Sequence, residues 1–294
     1  MDIKTKAFKL NNHAKGIMCI IAAAIGFSLM TFCVRLAGDI PTMQKAFFRN
    51  AVSLVISFFL LLKSGDGFKI KKEYRSDIFY RCLFGCTGMV ANFYAIDRIA
   101  IADANMLNKL SPFFAILLSI PILKEKPAKR DIFATIIAFV GAIFIVRPTS
   151  GIASIPALWG VYGGFGAGLA YVFVRRVSAK GCKTSQIVLC FSAFSCLITL
   201  PFFIFNPSPM SLKQIAIMLM AGIFASMGQF GITSAYKFAP AKEISVFDYT
   251  QVLFAALWGI LFLHEIPVIY SVIGYVIIIS VAIWRWQYNL KHGE

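Results

Sequence analysis

The chain has 294 residues, 59% of them hydrophobic and only 14% charged, and carries a net charge of +16 at neutral pH. A water-soluble domain of this size could not hide so much apolar surface. The basic residues sit between apolar runs and no stretch resembles a nucleic-acid module, so the positive balance reads as a membrane-topology signal and a contact for anionic headgroups.

The apolar runs are about 20 residues long, the length at which a helix crosses ~30 Å of hydrocarbon. They predict an all-α integral membrane protein of ten transmembrane helices. In the first half these cover 16–36, 42–62, 77–97, 101–123 and 130–147. The first begins near Lys15 without a small-residue cleavage site, so it reads as a retained helix and not a signal peptide. Ser64-Gly-Asp-Gly67 and the basic stretch to Arg75 separate helices two and three. Pro127 and Pro148 mark further ends, where proline cannot continue a hydrogen-bonded helix. Arg147 to Pro156 joins the halves. In the second half the expected helices cover 157–177, 184–205, 211–236, 241–263 and 266–287, with Pro207, Pro209 and Pro267 between them.

Lysines and arginines set the direction. Lys4, Lys6, Lys9 and Lys15 precede helix one. Lys63, Lys69, Lys71, Lys72, Arg75 and Arg81 fall around loop two–three. Lys124, Lys126, Lys129 and Arg130 fall in loop four–five, and Arg175, Arg176, Lys180 and Lys183 around loop six–seven. With Lys237, Lys242, Arg285 and Lys291, this face holds about three-quarters of the 29 basic residues. Both termini are therefore expected in the cytoplasm of a prokaryotic cell, with the chain spanning the cell membrane many times.

A shift of 140 residues lays the second half on the first without a gap. Gly26 meets Gly166, Arg35 meets Arg175, Gly88 meets Gly228, and Leu123-Lys-Glu125-Lys-Pro127 meets Leu263-His-Glu265-Ile-Pro267. Shared Arg, Glu, Pro and Gly in one register define two repeat units, 16–147 and 157–288. Five helices is an odd number, so the second unit enters the membrane upside down. Two halves related by a pseudo-two-fold axis in the membrane plane can exchange conformations and so turn an inward-open cavity outward, as secondary transporters do.

These features resemble the drug/metabolite transporter superfamily, and more narrowly its EamA-type branch. The resemblance rests on the two Leu-x-Glu-x-Pro helix ends, Arg49 in Phe47-Phe-Arg-Asn50, Asn92-Phe-Tyr-Ala-Ile96, and the run Ala104 to Pro112. It covers roughly residues 16–288. It implies a secondary transporter with a central cavity lined by helices one, three, four, six, eight and nine, and a structural role for Arg49. The segment Phe247-Asp-Tyr-Thr-Gln251 is similar to S-adenosylmethionine carriers of this branch.

Polar side chains in hydrocarbon cost a few kcal/mol unless paired or facing water, so each is a candidate site. Asn108 and Asp248 are partners under the repeat, as are Lys109 and Tyr249; this quartet is the first choice for substrate contact. On continuous helices, Lys109 and Asp248 would differ by roughly 10 Å in depth, so a direct ion pair would need a stretched lysine or tilted helices. Asp248 suits a cationic group or a coupling proton, and Lys109 a carboxylate; snorkelling or a structural lock is the alternative. Asn92, Tyr94, Gln229 and Thr233 on helices three and eight suit a polar cargo or interhelical packing. Phe27, Tyr171 and Trp258 serve as aromatic walls or lipid-facing side chains. Gly160, Gly163, Gly164, Gly166 and Gly168 let helix six pack closely or bend. Arg35 and Arg175 suit headgroup contact or a gate ion pair, and Glu125 and Glu265 a cap for the following helix.

No metal site or cofactor is expected: Cys82 and Cys86 share a helix face without a second ligand pair, and the seven cysteines read as reduced. His13, His264 and His292 lie at termini or an interface, and there is no phosphate loop or nucleophile with a base, which argues against an enzyme or ATP driving. No ring of filter residues points to a channel. The expected activity is secondary transport of a small polar organic metabolite, an amino acid or related compound in the export direction. Uptake or exchange of a cationic metabolite such as S-adenosylmethionine is the alternative. The partners expected are that substrate and membrane lipids, with a proton as candidate coupling ion, in a monomer or homodimer.

Overall fold

The computed structural model describes residues 3–64, 67, 70–124, 128–146, 154–205, 207–238 and 245–292, and all regular structure among them is helical. In chain order these are α1 (Ile3–Leu36), α2 (Thr42–Ser64), α3 (Lys72–Ile96), α4 (Ile101–Asn108), α5 (Ser111–Leu123), α6 (Lys129–Val146), α7 (Ile155–Ala179), α8 (Thr184–Phe205) and α9 (Leu212–Phe238). A 3₁₀ turn (Ser245–Tyr249) leads into α10 (Thr250–Leu263), and α11 (Ile269–His292) follows.

Among the described residues, eight segments are long and apolar enough to cross a membrane: 14–36, 42–63, 101–123, 155–179, 185–205, 212–232, 246–263 and 269–289. The expected spans 77–97 and 130–147 fold as α3 and α6 but fall outside this set. Arg81 and Asn92 dilute the apolar character of α3, and α6 is an 18-residue helix opening on Lys129, Arg130 and Asp131. Aromatic and aliphatic side chains such as Phe59, Phe133, Phe202, Ile136, Leu197 and Leu253 are exposed, as a lipid-facing surface requires.

Two expected helices are not continuous. The run 101–123 breaks between Asn108 and Ser111, where Lys109 leaves helical geometry and Pro112 follows as the second residue of α5. In the run 241–263, residues 245–249 wind as the tighter 3₁₀ form before α10 starts. Both apolar segments then stop the same way. Lys124 (φ 56°) and His264 (φ 55°) take left-handed backbone, and their N–H groups bond back to the carbonyls of Ser119 and Gly259.

Packing follows the glycines. α1 lies against α9, α3 against α7, α2 against α8, α4 against α10 and α6 against α11. A Cβ on Gly26 would stand 2.9 Å from the Gly228 nitrogen, and one on Gly166 would stand 2.8 Å from the Gly88 Cα. Both crossings therefore need glycine to let the backbones meet. Phe27 fills the space beside Gly228, its ring within 2.6 Å of where a Cβ would sit. Arg81, counted with the basic residues around loop two–three, lies within α3 and is buried.

Polar ties gather at the two ends of the bundle. At the end that holds Leu36, Arg35 pairs with Glu265 at 2.8 Å and donates to the Ile96 carbonyl at 3.0 Å. The other oxygen of Glu265 accepts the Ile101 N–H at 2.8 Å, capping α4 rather than the helix that follows it. Buried Lys45 meets Asp97 at 2.5 Å, and Gln44 both donates to and accepts from the Ser208 backbone. At the opposite end Asp77 meets Lys180 at 2.6 Å and Arg176 at 3.4 Å, while Arg285 meets Asp131 at 2.6 Å. Glu125 lies outside the described residues.

Candidate functional site

The backbone breaks of α4–α5 and of the 3₁₀ turn before α10 meet each other in the middle of the fold. There Lys109 Nζ lies 2.5 Å from Asp248 Oδ2, with 8% and 14% of the two side chains exposed. The direct ion pair expected to need a stretched lysine or tilted helices forms where one helix is interrupted after Asn108 and its partner enters on a 3₁₀ turn. Tyr249, also buried, donates its hydroxyl to the Lys109 carbonyl at 3.2 Å. That carbonyl sits where α4 ends, so the tyrosine satisfies an acceptor that the helix leaves open. Asp248 Oδ1 is buried and has no hydrogen-bond partner among the described residues. One carboxylate oxygen is thus committed to the lysine and the other is unfilled, an arrangement that costs free energy until a donor arrives.

Directly beside the pair, helical segments share a polar chain that sequence reasoning misses. Trp258 Nε1 donates to Ser28 Oγ at 3.1 Å, and Asn105 Nδ2 donates to Thr31 Oγ1 at 3.2 Å. Gln251 Nε2 reaches Asn105 Oδ1 at 2.5 Å. Ser28, Thr31, Asn105 and Gln251 are all buried, so this network locks α1, α4 and α10 together. Tyr275 donates to Asp103 nearby, tying α11 to the same helix. Pairing residues across the repeat favours charged groups and passes over Asn105 and Gln251. An amide on each of two helices is the signal that could have found them.

The remaining candidates separate. Asn108 is partly exposed at the end of α4. Asn92 is buried where α3 crosses α7, its Cβ 3.1 Å from where a Cβ on Gly163 would stand, and its Oδ1 has no partner among the described residues. Tyr94 lies under the Arg98 guanidinium at 3.7 Å and beside Trp159. Gln229 on α9 is half-buried, and the Thr233 side chain lies outside the described residues. Phe27 packs at the α1–α9 crossing, and Trp258 turns inward to Ser28, so neither is a lipid-facing side chain.

Tyr171 is 46% exposed, and the charges of Asp248 and Arg81 both act on it. Its helix face also carries Gly168, which abuts the Ser111 carbonyl at the start of α5. Thr31, the residue 140 positions earlier, is fully buried. The Arg35–Glu265 pair ties α1 to the end of α10, while the Tyr171 side chain is exposed.

The family model of EamA-like transporters matches residues 14–147 and again 154–284. The pseudopaline exporter CntI of Pseudomonas aeruginosa is 30% identical over 272 residues, 91% of this chain and 94% of that protein. An uncharacterized transporter of Helicobacter pylori is 27% identical over 84% of this chain and 85% of its own. Solute carrier family 35 member G1 of Homo sapiens is 24% identical over 94% of this chain and 81% of its own. A solved crystal structure aligns with a TM-score of 0.67 at 15% identity, covering 96% of this chain and 99% of that one, a likeness of fold alone. The chain is a multi-pass membrane protein that belongs to the EamA-like transporter family, within the drug/metabolite transporter superfamily.

Proposed function

We propose that this protein is a secondary transporter that exports a small polar organic metabolite, an amino acid or related compound, across the cytoplasmic membrane by alternating access. The observation that carries the reading is the buried Lys109–Asp248 pair, placed where both helices interrupt their backbones and leaving Asp248 Oδ1 unfilled. Broken helices at mid-membrane supply polar groups that a continuous helix cannot offer a ligand. Asp248 is also the candidate group for a coupling proton.

In this reading the units 16–147 and 157–288 are inverted copies and all ten expected helices span, with both termini cytoplasmic. Three pieces of geometry support it. The Gly26–Gly228 and Gly166–Gly88 crossings exchange under the 140-residue shift, and so do the left-handed ends at Lys124 and His264. The positive-inside rule puts the Arg35–Glu265 end outside and the Tyr171 end in the cytoplasm. The conformation is then inward-open, the state in which an exporter loads. The exporter named among the relatives agrees with that direction.

The test is a thermal-shift screen of the purified protein against amino acids, S-adenosylmethionine, polyamines and nucleosides at two pH values, followed by liposome flux of any class that binds. Saturable stabilisation by one class, lost in Asp248→Asn, supports the site. Stabilisation and flux that Asp248→Asn leaves unchanged would remove Asp248 from the mechanism.

A further inference from the structure

Two arginines remain that the Lys109–Asp248 pair does not absorb. Arg49 on α2 is 4% exposed and Arg81 on α3 is 8% exposed. Both guanidinium groups lie by the same ring, Phe191 of α8, with carbon-to-centroid distances of 5.9 Å and 4.4 Å. Neither forms an ion pair among the described residues. Among the described residues Arg49 donates to neutral acceptors, Asn50 Oδ1 at 2.7 Å and the Met89 sulfur at 3.4 Å. The Nε of each arginine is buried and has no acceptor among the described residues. The Nε edge with its neighbouring Nη is half of the planar fork by which arginine grips a carboxylate or phosphate. Two such forks thus surround one ring with no anion supplied by the described residues. The surrounding side chains, Cys82, Cys86 and Cys196, are small and neutral. Burying two like charges this way is costly unless an anion joins them.

Arg81 does not stand apart from the pair at the helix breaks. The charges of Arg81 and Asp248 both act on Tyr171, whose side chain is exposed. A ligand spanning from Arg81 to Asp248 would meet an unfilled cation edge, an aromatic hydroxyl and an unfilled carboxylate oxygen. We infer that Arg81, backed by Arg49, forms an anion subsite that binds a carboxylate group of the cargo, while Asp248 Oδ1 accepts its ammonium group. This deepens the transporter reading and rests on it. The cargo is then a zwitterion of amino-acid type. A purely cationic compound would leave both arginines unmatched.

The experiment measures thermal unfolding of purified protein in nanodiscs of zwitterionic lipid. The probes are acetate, inorganic phosphate and a mixture of the twenty amino acids, each against chloride at equal ionic strength. The expected result is saturable stabilisation of wild type by the amino-acid mixture, with acetate acting weakly. Half-saturation should move at least tenfold higher in Arg81→Gln. Unliganded Arg81→Met should unfold no lower than wild type, because an unmatched buried charge is gone. If no probe stabilises wild type, or if Arg81→Met unfolds well below it, the subsite is overturned and the arginine is structural. If stabilisation appears only when phosphatidylglycerol is added to the nanodisc, the anion is a lipid headgroup and the cargo assignment falls. Flux in liposomes reads the transporter proposal separately: a carrier that transports but shows no anion-dependent stabilisation loses this subsite and keeps its function.

Discussion

Replacing Asp248 with asparagine removes one negative charge and leaves the shape of the side chain almost unchanged. In the wild-type protein Lys109 Nζ sits 2.5 Å from the carboxylate, and both side chains are more than four-fifths buried. No other carboxylate pairs with Lys109 among the described residues, so the variant strands its ammonium out of water. Removing one partner of a buried pair costs about 3–5 kcal/mol in soluble proteins. Polar contacts between membrane helices average nearer ~0.6 kcal/mol, because the unfolded state in lipid also finds partners. The stranded charge, not the lost hydrogen bond, dominates here, and the expected loss is about 3 kcal/mol in Asp248→Asn. The double variant Lys109→Met/Asp248→Leu removes both charges and should recover most of that stability. It should still fail to transport, since the unfilled Asp248 oxygen is gone. The assay is denaturant unfolding in mixed micelles, with flux in liposomes measured on the same preparations. If Asp248→Asn stays within about 0.5 kcal/mol of wild type, the range typical of surface changes, and transports normally, the reasoning about this pair is refuted.

Other perturbations follow from the packing and from the closed end. Gly166→Ala places a Cβ 2.8 Å from the Gly88 backbone and should destabilise by about 1–3 kcal/mol. Gly259→Ala meets nothing nearer than 3.4 Å and should be neutral or gain up to ~1 kcal/mol from helix propensity; unfolding midpoints of the two variants compare them directly. Glu265→Gln loses the ion pair to Arg35 while keeping an acceptor for the Ile101 N–H, so it should loosen the Arg35 end without unfolding α4. Hydrogen exchange at the start of α4 checks this, with faster exchange at Arg35 contacts expected and global unfolding contradicting it. Burial pushes the Cys182 thiol up from its ordinary value, so it stays protonated at neutral pH. A short maleimide pulse should label the Cys182 peptide more slowly than free cysteine, with the rate rising as pH increases; labelling as fast as free thiol at neutral pH would contradict this.

Much of the helical layout is legible in the sequence because hydropathy run lengths and proline positions are local signals. The glycine pairs that reveal the 140-residue shift are also the contact points of the α1–α9 and α3–α7 crossings. Their spacing along the chain therefore carries three-dimensional information. The site at the helix breaks is legible only in part. Lys109 and Asp248 stand out as charges in apolar runs, but their meeting depends on backbone breaks that a 3.6-residue periodicity cannot show. Pro112 is the one local hint for α5, and the 3₁₀ turn at 245–249 has none so specific. Asn105, Gln251, Ser28 and Thr31 escape notice because single amides and hydroxyls in a helix look like packing until their partners are known. The burial of Arg81 escapes notice for a related reason: counting basic residues toward the nearest loop ignores that an arginine can be buried against an aromatic ring.

The central claim is that the interior opens to one side of the membrane at a time. It is tested most directly by placing single cysteines at Thr31 and Tyr171 in a background lacking the seven native cysteines, and labelling sealed vesicles of known orientation with a membrane-impermeant maleimide. Tyr171→Cys is expected to react from the cytoplasmic face while Thr31→Cys is protected, with protection reversing when cargo gradients drive the carrier outward-open. Simultaneous labelling of both positions from one face, or no change under any gradient, would contradict alternating access.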